Sequence, residues 1–355
     1  MKYIVKVPPW NRADSGLFTF LNNYPRVKMC HHHRVSWKSF VNTHEVIVAL
    51  NLFDYPIGFY NEVTEFDQYC QQNNIDTKLI IVSTIDHPVG YTFSKNIHWI
   101  TIKSLYYIMS QGNEFIECDR KPIKKHFVSL SGRPMWYRHY LFYYLYKNNL
   151  LDKGHVSYLF DNFFKRDPRE LFSNMHNWVG NEMSDGLDAD QMYNMLPYKN
   201  FIEENKPKSP MELWTTVQDI YNESAISIET ETYISPDLNN NAGFTEKALR
   251  PLAFGNPFLL IAPGGSLSTL RQIGFETYSN ILDESYDTIL DDEQRIKSVL
   301  AELNRISKLS IDELNSMTNS VADIIEHNQH HMLVTIKEQN KKDLINLEEY
   351  IKECL

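Results

Sequence analysis

Short apolar runs alternate along the chain with longer stretches of mixed apolar and polar residues. The runs read as buried strands and the mixed stretches as helices. Lys2–Val7 predicts a first strand, followed by a Pro-rich loop through Ser15 and a helix-like run. His44–Phe53 reads as a buried strand, Thr64–Asn74 as a helix, Lys78–Ser83 and Asn96–Ile102 as strands, and Ser104–Gln111 as a helix. Arg120–Lys125 is basic, contains proline and reads as a linker. A second series follows: strand His126–Ser131, helix Arg138–Lys147, strand-like His155–Phe160 and strand Ser224–Glu231. Residues 161–208 are polar and irregular and give no assignment.

Helix ends have their own chemistry. Ser209, Pro210 and Glu212 stand at the N-cap, first and third positions of a helix. Thr245 suits the N-cap of a helix that opens at Glu246 and closes at Gly255. Ser310 and Glu313 form a capping box that opens a long C-terminal helical region. Strands alternating with helices predict parallel sheets with crossover helices. The expected fold is therefore α/β, with two Rossmann-like domains facing a cleft, over residues 1–120 and 121–310. Residues 311–355 are C-terminal helices, candidates to pack back across that cleft.

Composition changes this picture little, and charge changes it more. The net charge is −10, but residues 1–44 hold seven basic residues against the single acid Asp14. Such asymmetry can mark a polyanion-binding face. Cys30, Cys70, Cys118 and Cys354 are far apart and fit no disulfide or metal framework, which favours a reducing compartment. No signal peptide and no membrane-crossing run is read, so the expected location is the cytoplasm.

In open parallel sheets, ligands bind beyond the carboxyl ends of the strands. Arg133 lies in the loop after the strand His126–Ser131, and Arg138 lies in the opening turn of the next helix, where an anion is favoured. Glu229 and Glu231 end a strand as same-facing residues. A carboxylate there can accept the hydroxyls of a ribose. Glu246 suits the positive start of its helix, so a structural role is open to it. Lys247 opposes the helix dipole and costs stability unless an anion is near. Taken singly, solvated arginines, a solvated strand end and turn aspartates are the ordinary readings of such residues. His31, His32 and His33 are consecutive, lack metal-ligand spacing and add to the basic patch; His327 and His331 are four apart and could hold a metal, but exposed polar helix positions are the commoner explanation. The absence of G-x-G-x-x-G counts against a nicotinamide or flavin enzyme.

The order strand–S–x(n)–R–helix, strand ending I-E-T, loop, then T-E-K-A-L-R-P-L-A-F-G-N-P-F resembles the donor domain of GT-B glycosyltransferases of the fucosyltransferase and exostosin kind. Phage and giant-virus glycosyltransferase-like proteins resemble it more closely, through the following G-S-L-S-T-L-R-Q-I-G-F-E-T-Y. The resemblance covers roughly residues 126–300. It implies Arg138 on a nucleotide diphosphate, Glu229 in the F-E-N block, Glu246 on the ribose and Lys247 on the phosphates. Thr230 and Gly243 depart from the family's Asn and Tyr, which leaves the nucleotide, UDP- or GDP-linked, open.

Chemistry alone gives a compatible reading. A leaving nucleoside diphosphate gains negative charge, which Arg138, Lys247 and Arg250 can stabilise, so a metal-independent transferase with no cofactor beyond its nucleotide-sugar is expected. The base that deprotonates the acceptor hydroxyl should come from the first half. Asp86, just after an apolar strand, is the first candidate, and phage DNA β-glucosyltransferases look similar there. Asp14 is the second. Arg12, Lys28, Arg34 and Lys38, with Trp37 among them, suit a phosphate backbone with a stacking surface. The acceptor reading leans to a hydroxymethylated base in phage DNA, extruded from its duplex, which would place the protein in a host cytoplasm. Glycan or protein hydroxyls, a non-catalytic sugar-nucleotide binder and a structural virion protein are the other readings.

Overall fold

The computed structural model describes residues 3–6, 27–30, 46–51, 56–83, 92–102, 121–133, 135–159, 189–201, 212–235 and 245–353. The chain divides into two compact units. One comprises Met1–Gly112, Pro236–Glu246 and His330–Leu355, the other Asn113–Ser235 and Lys247–Gln329.

The first unit is built on β1 (Tyr3–Lys6), β2 (Val27–Cys30), β3 (Val46–Asn51), β4 (Lys78–Ser83) and β5 (Ile97–Thr101), in the order β2-β1-β3-β4-β5. All four pairings are parallel. Leu79, Ile80, Ile81 and Val82 are wholly buried, which is why β4 reads as an unbroken apolar run rather than an alternation. Helix α1 (Pro56–Asn73) packs Val63, Phe66 and Cys70 against Leu79 and Ile81. It starts at Pro56, well before the expected Thr64, because proline is at home in a first helical turn and Gly58 blurs the periodicity. Burial pushes the Cys70 thiol up to about 11, which leaves it unreactive. Strand β2 was not anticipated. Four residues that include a lysine are too short to show an alternation.

The second unit is built on β6 (Lys125–Ser131), β7 (Gly154–Tyr158), β8 (Tyr198–Lys199), β9 (Ser224–Thr230) and β10 (Phe258–Ile261), in the order β10-β9-β6-β7-β8. Only β8 runs antiparallel among these described strands. Its helices are α2 (Trp136–Lys147), α3 (Ala189–Asn194), α4 (Glu212–Asn222), α5 (Glu246–Phe254, whose first residue groups with the first unit), α6 (Ser266–Gln272), α7 (Asp292–Ile306), α8 (Ile311–Asn319) and α9 (Ala322–His330). Val217, Ile220 and Tyr221 of α4 and Ala253 and Phe254 of α5 enclose Val128 of β6.

Several local expectations are met. Ser310 and Glu313 form the reciprocal box, with Glu313 N–H donating to Ser310 Oγ at 3.3 Å and Ser310 N–H donating to Glu313 Oε2 at 2.7 Å. Helix α5 opens at Glu246, directly after the buried Thr245, and closes at Gly255. Gly255 has φ +67°, and the next N–H, of Asn256, donates to Pro251 O at 2.9 Å. That left-handed turn is what glycine supplies. From Lys121 to Lys125 the stretch read as a linker is tied to the second unit. Lys121 and Lys124 pair with Asp219 and Glu223, Ile123 is buried, and Lys125 already belongs to β6. The helices expected over 104–111 and from Ser209 lie outside the described residues, except that α4 is described from Glu212. The C-terminal helix α10 (Ile336–Glu353), reached through a π-turn over His331–Thr335, brings Tyr350 Oη to 2.8 Å from His98 Nδ1 on β5.

Topology singles out one place in each sheet. From β6 the chain moves to β7 on one side, and later returns to place β9 on the other. The strand order therefore reverses between β6 and β9, and it is beyond the carboxyl ends of strands at such a point that ligands of open parallel sheets bind. In the first unit the reversal falls between β1 and β3. The segments that follow those strands, residues 7–26 and 52–55, lie outside the described residues.

Candidate functional site

The carboxyl ends of β6 and β9 are joined by Arg138. This arginine is 5% exposed. Its Nε donates to Thr230 Oγ1 at 3.0 Å, and its Nη2 to Thr230 O and Glu231 O, both at 3.0 Å. Among the described residues, its Nη1 donates to Arg133 O alone, at 3.4 Å. All of these acceptors are neutral, and among the described residues no carboxylate pairs with the guanidinium. Beside it, Tyr137 Oη donates to Glu231 O at 2.6 Å and to Thr232 O at 2.8 Å. Burial holds that phenol far above its ordinary range, so it stays a neutral donor. His139 is wholly buried, with Nδ1 2.7 Å from Tyr158 Oη. Burial first, and then the Arg138 charge, pull its pKa down to about 3. A cation thus sits in the core with a neutral neighbour. Arg133 itself is exposed.

Side chains alternate along β9. Thr230 faces Arg138 of α2, whereas Glu229 faces α4 and α5. Glu229 is 2% exposed; Tyr221 Oη donates to its Oε1 at 2.6 Å and Arg250 Nη2 to its Oε2 at 2.9 Å. The Arg250 guanidinium also lies 5.2 Å from the centre of the Tyr221 ring. Glu229 and Arg250, both read from the sequence as donor-binding, are therefore brought together, but onto one another. Their charges neutralise each other inside the core, and both carboxylate oxygens are engaged.

Glu231 follows on the same face and is 1% exposed. Ala248 N–H donates to its Oε1 and Thr232 N–H to its Oε2, each at 3.3 Å. Its carboxylate therefore rests on the first turn of α5, where the helix dipole favours negative charge. This answers part of the Lys247 question: the chain itself places an anion on that turn. Lys247 Nζ donates to Thr232 Oγ1 at 3.2 Å. Glu231 was paired in the sequence with Glu229 but not singled out as a site residue; its spacing from Glu229 was the available signal. Glu246 is the first residue of α5, and its side chain lies outside the described residues.

A third helix start, after β10, is also closed by the chain. Leu267 N–H and Ser268 N–H at the head of α6 donate to the Asp287 carboxylate at 2.9 and 3.0 Å. A Cβ on Gly264 would meet Ile289 O at 2.9 Å, so only glycine fits that turn. By contrast, Met135 at the head of α2 offers no side-chain cap. Of the three helix starts, two carry a carboxylate of the chain, and the α2 start carries Arg138.

Asp86 and Asp14, and Arg12, Arg34, Trp37 and Lys38, lie outside the described residues. Lys28 falls on β2, with its side chain outside them. His327 does not stand ready for a metal, because its Nε2 lies 2.9 Å from Gly274 O. The chain contains one Asp-x-Asp triplet, Asp188-Ala189-Asp190, which the expectation of a metal-free site passed over. Asp190 is an exposed residue in the first turn of α3, and Asp188 lies outside the described residues. Among the described residues no group of three His, Cys, Asp or Glu side chains could hold a metal, and no helix is long and apolar enough to cross a membrane.

No protein-family model and no curated protein matches the chain. Among solved structures, a T4 phage BGT mutant in complex with UDP-glucose is similar at 12% identity and TM-score 0.38, covering 97% of this chain and 99% of that one. T4 phage BGT in complex with UDP and Mn2+ is similar at 12% identity and TM-score 0.36 over the same shares. A likeness of that size transfers no residue's role.

Proposed function

We propose that the protein is a GT-B glycosyltransferase that moves a sugar from a UDP- or GDP-linked donor to an acceptor hydroxyl. The observation that carries this reading is the buried Arg138 guanidinium, without a carboxylate partner among the described residues, beside an uncapped helix start at the point where the strand order reverses. A buried charge of this kind is costly until an anion meets it. A nucleoside diphosphate leaving group supplies that anion and gains charge as the sugar departs. In this reading Arg138 Nη1 and the first amides of α2 receive the diphosphate, with Lys247 adding a second cation. Glu246 and Arg133 complete the donor side. Thr245, Glu229 and Arg250 act by holding α5 in place. Asp86, or failing it Asp14, takes the acceptor proton. Residues 1–120 form the acceptor side and 121–310 the donor side; of the C-terminal helices, α8 and α9 group with the second unit and α10 with the first.

The basic segment with Arg12, Lys28, Arg34, Trp37 and Lys38 favours a hydroxymethylated base in phage DNA as acceptor, in a host cytoplasm. A glycan or protein hydroxyl is the alternative acceptor, and a non-catalytic sugar-nucleotide or glycan-binding protein the alternative class. The experiment has two stages. UDP and GDP should raise the melting temperature of the wild-type protein, and Arg138→Gln should remove that rise while the variant still melts cooperatively. An unchanged rise in the variant refutes the diphosphate assignment. Sugar transfer is then assayed on hydroxymethylpyrimidine DNA and on glycan acceptors; no DNA binding at low salt rules out the DNA acceptor.

A further inference from the structure

Beyond Glu231 the chain leaves β9 along a firmly held path. Glu231 O and Thr232 O accept from Tyr137 Oη, and Thr232 N–H donates to the Glu231 carboxylate. Ile234 is 4% exposed, and its carbonyl accepts from Arg295 Nη2 at 2.5 Å. Arg295 is itself 2% exposed and also donates to Ala262 O at 2.8 Å, at the end of β10. Ser235 Oγ donates to Asp292 at the head of α7. Between these anchored neighbours, Tyr233 leaves 44% of its surface exposed. Beyond the end of β9, Thr232 is half-buried and Ile234 buried, whereas Tyr233 stands exposed. The exposed part of the ring is an aromatic surface that a ligand in solvent can reach.

We propose that Tyr233 is the stacking surface for the base of the nucleoside diphosphate bound beyond the carboxyl ends of β6 and β9. This deepens the donor reading above and rests on it. Three features favour this occupant. The ring lies at the carboxyl end of the strand beside the reversal point, where ligands of such sheets collect. Thr232, next to it, bonds the Lys247 ammonium, so an aromatic surface and a phosphate-binding cation flank one short segment. The backbone on either side is fixed before any ligand arrives, so little ordering is left to be lost on binding. Stacking uses the π face that every base has, so Tyr233 adds affinity without choosing between uracil and guanine.

The test compares UDP, GDP and ribose 5-phosphate as ligands of wild-type protein and of Tyr233→Ala, Tyr233→Phe and Tyr233→Trp. Losing one stacked aromatic costs about tenfold to a hundredfold in affinity. Tyr233→Ala should therefore weaken UDP and GDP by at least about tenfold, and both alike, while ribose 5-phosphate, which has no base, is unaffected. The Phe and Trp variants should keep nucleotide affinity within about threefold, because the ring and not the hydroxyl is used. Equal nucleotide affinity in the alanine variant overturns the proposal, as does a parallel loss of ribose 5-phosphate binding. If the wild-type protein binds neither UDP nor GDP, the donor reading fails first and the stacking role fails with it.

Discussion

His139 is held neutral in the core beside Arg138, and this makes stability depend on pH in a calculable way. Its folded pKa is depressed to about 3 from the ordinary 6.5. Protonation therefore favours the unfolded chain. The residue costs nothing above about pH 7, and it destabilises progressively as pH falls below 6.5 and on toward the folded value. At pH 5 the unfolded histidine is almost fully protonated and the folded one is not, a difference of about 2 kcal/mol. The measurement is urea unfolding at pH 7 and pH 5 of wild-type protein and of His139→Asn, which keeps a polar atom facing Tyr158 Oη. The wild type should lose about 2 kcal/mol more than the variant between the two pH values. His126 and His155 are also lowered by burial, but they are common to both proteins and cancel in the comparison. Equal losses in the two proteins would refute the assignment of His139 as a buried neutral group.

Arg250→Met should destabilise the second unit by about 3–5 kcal/mol, because it leaves the Glu229 carboxylate buried without its cation. Adding Glu229→Gln should recover part of that loss, and thermal melts of the single and double variants check both. Ser310→Ala removes the capping box at α8 and should cost about 1 kcal/mol in urea unfolding; no change would mean that the box is not maintained in solution.

β4 was legible because burial on two faces writes itself as a continuous apolar run, Leu79–Val82, and β9 through its apolar Ala225, Ile226 and Ile228; the four-residue β2 and the two-residue β8 carry no such run. The α8 start was legible because a capping box is complete within four residues. The α1 start was not, since Pro56 and Gly58 interrupt the apolar spacing. The candidate site was legible in part. Arg138 and Lys247 could be found from their places at helix starts, but what they touch could not. Arg250 meets Glu229 only because α5 crosses the end of β9, and no local pattern encodes that crossing. Glu231 was missed as a site residue for the same reason: its role depends on the first turn of α5, which is distant in sequence and adjacent in space.

The chain passes between its two units four times, after residues 112, 235, 246 and 329. In covalent terms the second unit is not a bead that follows the first on a string; it is spliced into it. Cutting the basic stretch near residue 120 leaves three other connections intact, so a single proteolytic nick there releases neither unit. Expressing residues 1–120 alone omits α10, whose Tyr350 bonds the edge strand β5. Residues 121–310 alone, in turn, omit α8 and α9, which are part of the second unit. One of the four crossings falls between Glu246 and Lys247. The chain therefore re-enters the second unit at the very turn that carries Lys247 and receives the Glu231 carboxylate.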